Sequence, residues 1–306
     1  LNSEAMRNFT IAIPTYNRIE ILTETVTKLI PQLKPWHHLL IIDNCSDIPV
    51  ADGIQSRIKF SDDINVKIVR NNMNIGGGAN ILRCVELCET EWLYCLGDDD
   101  FILEDALNII SETIDQNPDC LYINFSRNEY VRKTRKISKG VTEFIEILDD
   151  WPTFLFMSSS IFNCKLLKNE IRTAYLNLYT WAPIQSALLL SLKTDGTVLF
   201  SEKIICDQTS LADTTWNPLT VAAGKMVLPD LIQNESDRNA FARKISARPG
   251  ITFLAYFAAV TNEIDNENRH LFNIFVSRCR LYKIGFLRHT YGSLLSLLLK
   301  LPKPMR

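Results

Sequence analysis

Three adjacent carboxylates, Asp98-Asp99-Asp100, follow the apolar run Leu93-Tyr94-Cys95-Leu96 and Gly97. Neighbouring carboxylates repel one another unless a cation or hydrogen-bond donors compensate. Oxygen-rich sets of this kind suit Mg2+ or Mn2+, which take one or two carboxylates and complete their shell with substrate phosphates. The same residues read equally well as a solvated turn with an Asp capping the next helix. Gly76-Gly77-Gly78, ahead of a helical pattern, would let a backbone approach a phosphate at a helix N-terminus. It matches neither the dinucleotide fingerprint nor the P-loop, and a plain turn is its bland alternative. Asp43, after the run Leu39-Leu40-Ile41-Ile42, either binds a base or ribose or caps a turn. The four histidines, His37, His38, His270 and His289, fit no metal or triad spacing, and His37-His38 reads as surface.

The elements that must position these groups show in the apolar periodicity. Phe9 to Ile13 is rich in β-formers and stops at Pro14, as a strand entering a loop does. Ile19, Leu22, Val26, Leu29 and Leu33 recur at helical spacing. Leu39 to Ile42 reads as a strand buried on both faces. Val66 to Val69, Trp92 to Leu96 and Leu121 to Phe125 are further strands, with helical patterns after Gly78 and from Glu104 to Gln116. Such alternation predicts an α/β fold, a mainly parallel sheet with helices on both faces. Ligands in these sheets bind beyond the carboxyl ends of the strands. Thr15 to Arg18, Asp43 to Asp47, Asn71 to Asn74 and Asp98 to Asp100 all lie at strand ends, so they should converge on one rim.

From Ser126 the alternation fades. Arg127 to Lys139 is expected to be a basic loop or exposed hairpin. A short strand is expected at Ser158 to Phe162, a helix over Trp181 to Leu192 and a strand over Val198 to Ile205. Helices are then expected over Leu231 to Ile245, Thr252 to Ile264 and Arg269 to Tyr282.

Four segments, in order, resemble the family 2 glycosyltransferases of the GT-A fold, which use nucleotide-activated sugars. They are Ile11-Ala12-Ile13-Pro14-Thr15-Tyr16-Asn17-Arg18, Ile41-Ile42-Asp43-Asn44-Cys45-Ser46-Asp47, the stretch Asn71 to Asn80, and Trp92 to Asp100. The resemblance is detailed over the first third of the chain and holds in outline over the second. It implies a nucleotide-sugar-binding half at 1–125, an acceptor-binding half at 126–218, and a helical C-terminal region with a basic amphipathic tail at 219–306. Pro14, Thr15 and Tyr16 would then wall the nucleotide pocket with Arg18 beside them, and Asp43 would contact the base. Asn74, Gly76 and Asn80 would lie along the nucleotide. The acidic triplet would be the DxD-type motif, touching ribose or sugar and holding Mn2+ or Mg2+ on the diphosphate. Asp98, Asp99 and Asp100 all stay candidate ligands.

An inverting member of that family also needs a general base near the acceptor hydroxyl, usually an acid at the start of a later helix. The matching stretch, Leu178 to Gln185, contains no acid. Asp150 is therefore the candidate base, with Asp149 beside it. Asp195 reads as a turn, and a retaining outcome stays open. Trp151, Tyr179 and Trp181 either stack on sugar rings or fill the core.

The formal charge of −2 argues against a nucleic-acid binder, which needs surplus Lys and Arg. That average hides an asymmetry. Residues 268–306 carry eight basic side chains and no acid, leaving 25 basic and 35 acidic residues, a net −10, before them. The eight cysteines are scattered without CxxC pairs, which points to a reducing cytosol. The apolar run Thr290 to Leu299 is shorter than the ~20 residues a membrane-spanning helix takes. The basic tail from Arg278 to Arg306 is expected to lie on the inner face of the membrane, as suits a lipid-linked glycan acceptor. Its bland alternative is a helix packed on the protein's own acidic body or a dimer contact, and oligomeric state is left open. Two other functions stand beside glycosyl transfer: nucleotidyl transfer at a similar acidic metal site, and a non-catalytic nucleotide- or glycan-binding module.

Overall fold

β1 (Phe9–Thr15) runs through the middle of the molecule, with parallel neighbours on both sides. On one side are β2 (His38–Asp43) and then β3 (Asn65–Arg70); on the other is β4 (Trp92–Cys95). The helices α1 (Ile19–Leu29), α2 (Val50–Gln55) and α3 (Gly77–Leu87) return the chain between these strands. The computed structural model describes residues 8–180, 182–193, 195–207, 223–246 and 266–283.

After the acidic triplet come a short β5 (Phe101–Ile102), α4 (Ala106–Gln116) and β6 (Cys120–Ser126). β7 (Lys136–Lys139) follows, then α5 (Gly140–Ile147) and α6 (Trp151–Leu155), which lead into β8 (Ser160–Asn163). Two short helices, α7 (Cys164–Leu167) and α8 (Ile171–Leu176), precede α9 (Pro183–Leu192), β9 (Thr197–Ile204) and β10 (Cys206–Asp207). Helices α10 (Glu235–Ser246) and α11 (Asn266–Leu281) come last among the described residues. The expected helix over Thr252 to Ile264 falls outside them.

The main sheet has the order β3-β2-β1-β4-β8-β6-β9-β7, and β5 pairs separately with β10. Alternation of strand side chains fills both faces. Ile11, Ile13, Leu39, Ile41 and Tyr94 meet Leu22, Val26 and Leu29 of α1 on one face, whereas Ala12, Leu40, Ile42, Leu93 and Cys95 meet α3 and α9 on the other. Each of the three buried α1 side chains contributes about 1.5–3 kcal/mol by leaving water, which fixes the helix without a side-chain N-cap.

The expectation of a mainly parallel sheet holds for β3-β2-β1-β4 and for β6-β9. β8 enters antiparallel between β4 and β6, and β7 closes the edge antiparallel to β9. Apolar periodicity carries no strand direction, and here the chain returns to the sheet through α5 and α6 instead of a crossover. Both halves of the chain thus share one sheet.

Two local expectations are corrected. Arg132, placed by composition in an exposed basic stretch, is buried. Its guanidinium donates to Asn124 Oδ1 (2.6 Å), to the Asn124 and Ser201 carbonyls and to Asp149, and lies 4.8 Å from the Phe200 ring centroid. His37, read as surface, is also buried, 4.6 Å from the Phe9 ring, and its Nδ1 accepts the Lys34 amide. All eight cysteines are free thiols.

Candidate active site

The ends of β1, β2, β3 and β4 meet on one rim through backbone bonds. Asn44 N donates to Thr15 O (2.9 Å), Asn71 N to Asp43 O (2.8 Å) and Leu96 N to Ala12 O (2.9 Å). In parallel strands of matched register the polar residues that follow must emerge side by side. Asn17, at φ 54°, turns the chain away from β1 in a left-handed conformation that Asn tolerates. Its amide donates to Ser46 Oγ (2.9 Å), and its side chain bonds both the amide and the carboxylate of Asp47.

Within the acidic triplet the three carboxylates take different partners. Asp98 is 6% exposed; its Oδ2 accepts Thr15 Oγ1 (2.7 Å) and its Oδ1 accepts Arg18 Nη1 (3.1 Å). The same Nη1 lies 2.9 Å from Asp99 Oδ2. Thr25 of α1 donates to the Asp98 carbonyl. Asp100 turns the other way, where Ser158 Oγ donates to Oδ2 (2.5 Å) and itself accepts the Gly97 amide (2.8 Å). A Cβ on Gly97 would sit 2.4 Å from Asp100 Oδ2, so the absence of one lets this carboxylate fold back over the chain.

Burial pushes Asp100 up to about 7, and the charges of Asp99 and Asp98 add to this against the Ser158 hydroxyl and Arg127. Burial likewise holds Asp98 above its ordinary value despite its Thr15 and Arg18 donors. Asp99, with a side chain 31% exposed, opens to the rim.

Asp43 is 1% exposed. Its Oδ1 accepts Ser46 N (2.7 Å), and its Oδ2 accepts Val50 N (3.2 Å) and Arg70 Nη1 (2.5 Å). Burial would raise it, but the donors from Ser46, Val50 and Arg70 prevail and hold it below the usual carboxylate range. Both oxygens are thus engaged in closing the β2 loop onto α2.

Next to it is a lattice of asparagines. Asn71 Nδ2 donates to Asn44 Oδ1 (3.0 Å) and Asn80 Oδ1 (2.9 Å), and Asn44 Nδ2 donates to Asn74 Oδ1 (2.8 Å). Asn80 Nδ2 reaches Ile42 O (3.2 Å), and Asn74 Oδ1 accepts Gly76 N (2.9 Å). Asn80 is buried and pins α3 to β2, while Gly76, at φ 83°, supplies the turn into α3. Tyr16 stands exposed at the rim, and Pro14 is half-buried within β1.

Asp150 lies elsewhere. At 2% exposure it caps α6, accepting both the amide and the hydroxyl of Thr153. The structure thus sets the expected base at the head of α6, with its Oδ2 engaged by Thr153. Asp149 is held by Arg132 and Lys136. Trp151 packs on Phe154 and Phe241 in the core, Tyr179 is exposed, and Trp181 lies outside the described residues.

Sequence reasoning missed Arg70, Thr25, Ser158 and Arg127. Arg70 adjoins the Asn71 motif and was within reach. Ser158 comes from a segment 61 residues after Gly97, and no local pattern announces it.

Asp98 Oδ1 and Asp99 Oδ2 already converge on one cationic nitrogen. A divalent cation would find two carboxylate oxygens at this point. No group of three His, Cys, Asp or Glu side chains among the described residues stands close enough to hold a metal alone. Two carboxylates would therefore hold the ion weakly by themselves, with water or phosphate oxygens completing the shell.

The sequence profile described as Glycosyl transferase family 2 matches residues 10–170, just over half of the chain. The chain belongs to this family. It is 33% identical over 111 residues to abequosyltransferase RfbV of Salmonella typhimurium, covering 35% of this chain and 32% of that protein. It is 22% identical over 209 residues to the poly(ribitol-phosphate) beta-N-acetylglucosaminyltransferase TarS of Staphylococcus aureus, covering 65% of this chain and 36% of TarS. The chain thus spans about a third of the length of these curated relatives.

Among solved structures, S. aureus TarS 1-349 in complex with UDP-GlcNAc superposes with TM-score 0.63 at 14% identity, covering 94% of this chain and 88% of that one. The mannosyltransferase PcManGT of Pyrobaculum calidifontis, in complex with GDP-Man and Mn2+, gives 0.57 at 12% identity, covering 96% and 88%. The mixed α/β sheet of this family 2 chain is therefore the GT-A fold of these glycosyltransferases.

Proposed function

We propose that this chain transfers a sugar from a nucleotide-diphosphate donor to a glycan hydroxyl during surface polysaccharide synthesis. The observation that carries the reading is the convergence of Asp98 Oδ1 and Asp99 Oδ2 on one cationic point at the carboxyl rim of the parallel strands. Family membership supports it, as do the sugar-transferring names of the relatives.

On this reading the donor lies across the rim. Tyr16 and the exposed Gly76 turn flank it, and Thr15 keeps Asp98 aimed at the diphosphate. Asp98 and Asp99 would hold the Mn2+ or Mg2+, which, when bound, offsets the charge that develops on the leaving diphosphate. Asp43 and the asparagine lattice hold the rim loops in shape and so position the nucleotide, in place of the direct base contact expected for Asp43. Asp100, buried against Ser158, shapes the turn.

The acceptor is proposed to be lipid-linked, with residues 284–306 resting on the cytoplasmic face of an anionic membrane through Arg288, Lys300, Lys303 and Arg306. That tail lies outside the described residues. The first residues of the expected tail are instead held on the body, where Arg278 pairs with Asp230 (2.9 Å) and Tyr282 donates to the same carboxylate, so the proposed membrane contact is confined to the residues after Lys283. No described helix is long and apolar enough to cross a membrane. Co-sedimentation with anionic vesicles, compared between the intact chain and one ending at Lys283, tests the tail; equal partitioning would refute it.

The test of the main reading is a thermal-stability screen of UDP-, GDP-, CDP- and dTDP-sugars with and without Mn2+. One nucleotide should raise the melting temperature, more so with Mn2+, and Asp99→Asn should lose the Mn2+-dependent part. No response to any nucleotide would overturn the assignment. Metal-independent binding without sugar transfer would favour a binding module instead.

A further inference from the structure

Arg18 sits at the head of α1 with non-helical backbone (φ −133°, ψ 43°), and its side chain is 27% exposed. A single nitrogen, Nη1, lies 3.1 Å from Asp98 Oδ1 and 2.9 Å from Asp99 Oδ2. These are the only two carboxylates of the triplet that face a common point, since Asp100 turns to Ser158 and the other oxygen of Asp98 is taken by Thr15. The backbone beneath Arg18 is anchored. Asn17 is tied to Ser46 and Asp47, and Leu22 N donates to Arg18 O. The guanidinium can therefore leave by side-chain rotation while the loop stays in place.

We propose that Arg18 is a resident counter-cation of the Asp98–Asp99 pair, exchanged for a divalent cation when a nucleotide diphosphate enters. A guanidinium and a divalent ion cannot share one point about 3 Å from the same oxygens, because like charges at that separation repel strongly in a partly buried site. The two cations are alternative occupants. While Arg18 is in place, the carboxylates are compensated and the empty rim resists loading with metal. When the diphosphate arrives with its metal, the displaced guanidinium meets a phosphate group, whose oxygens match its planar fork of donors. Arg18 is thus both a brake on metal binding and a contact for the donor. The inference rests on the glycosyltransferase reading only for the identity of the incoming anion.

The experiment uses the full chain, Arg18→Ala and Arg18→Gln, with melting curves as the check of folding. Mn2+ affinity is measured by electron paramagnetic resonance without nucleotide, and UDP, GDP, CDP and dTDP affinities by calorimetry in Mn2+. If Arg18 holds the carboxylates nine-tenths of the time, its removal should tighten Mn2+ binding about tenfold. The same variants should bind the preferred nucleotide about tenfold more weakly, the scale of one lost charge-assisted contact. Opposite signs in one variant are what a merely structural arginine would not produce. Unchanged or weaker Mn2+ binding in both variants, or no Mn2+ binding in any form, would overturn the proposal. Failure of every nucleotide to bind the parent chain would instead sink the glycosyltransferase reading, and the Mn2+ measurement alone would still decide Arg18.

Discussion

Replacing Asp43 by Ala removes a carboxylate that closes the β2 loop onto α2. The Ser46 and Val50 amides lose their acceptor at buried residues, and each unsatisfied buried donor costs about 1–3 kcal/mol. Arg70 is 37% exposed, so solvent screening leaves the loss of its pairing a minor addition. The expected destabilisation is therefore ~2 kcal/mol or more, which for a domain of this size lowers the melting temperature by about 4 °C or more. Acid should reproduce part of the effect. The folded-state pKa is depressed, so the contribution is complete above the unfolded value and is lost as pH falls below about 4. Calorimetric melting of parent and Asp43→Ala at neutral and acidic pH measures both effects. A variant melting within 2 °C of the parent, taken as about 1 kcal/mol, would refute the account of the buried carboxylate. Nucleotide binding well below the melting point should also weaken in a folded Asp43→Ala, because the loop that positions the nucleotide loses its closing carboxylate.

Gly97→Ala places a methyl 2.4 Å from Asp100 Oδ2 and 3.3 Å from Asp99 Oδ1, so the acidic turn must rearrange. We expect weakened Mn2+-dependent nucleotide binding with a modest fall in melting temperature, measured together by calorimetry; unaltered binding would show that the turn has other room to adjust. His37 is buried, and burial pulls its pKa from 6.5 to about 4. The unfolded chain takes up the proton first, so stability is full above pH 6.5 and falls by up to ~3 kcal/mol as pH drops towards 4. His37→Phe should flatten that slope in urea titrations, and an unchanged slope would remove His37 as its source.

The strand series from Phe9 to Phe125 and the position of the polar clusters at strand ends were determined by the sequence alone. Short β-branched runs alternating with helical periodicity admit one parallel arrangement, which brings Thr15, Asp43, Asn71 and Asp98 to one rim. The acidic triplet and its convergence with the β1 loop were legible for the same reason. The division of labour among those residues was not. Asp98 and Asp99 face Arg18 while Asp100 turns to Ser158, and that split depends on side-chain directions set by packing across 58 residues of separation. Asp43 and Asp150 are both acids in polar company, yet their carboxylates close a loop and cap a helix. Burial of Arg132 and His37 likewise follows from Asn124, Phe200 and Phe9, partners brought together by the fold. Periodicity records which face of an element is apolar; only the tertiary structure decides which donors a polar side chain meets once water is excluded.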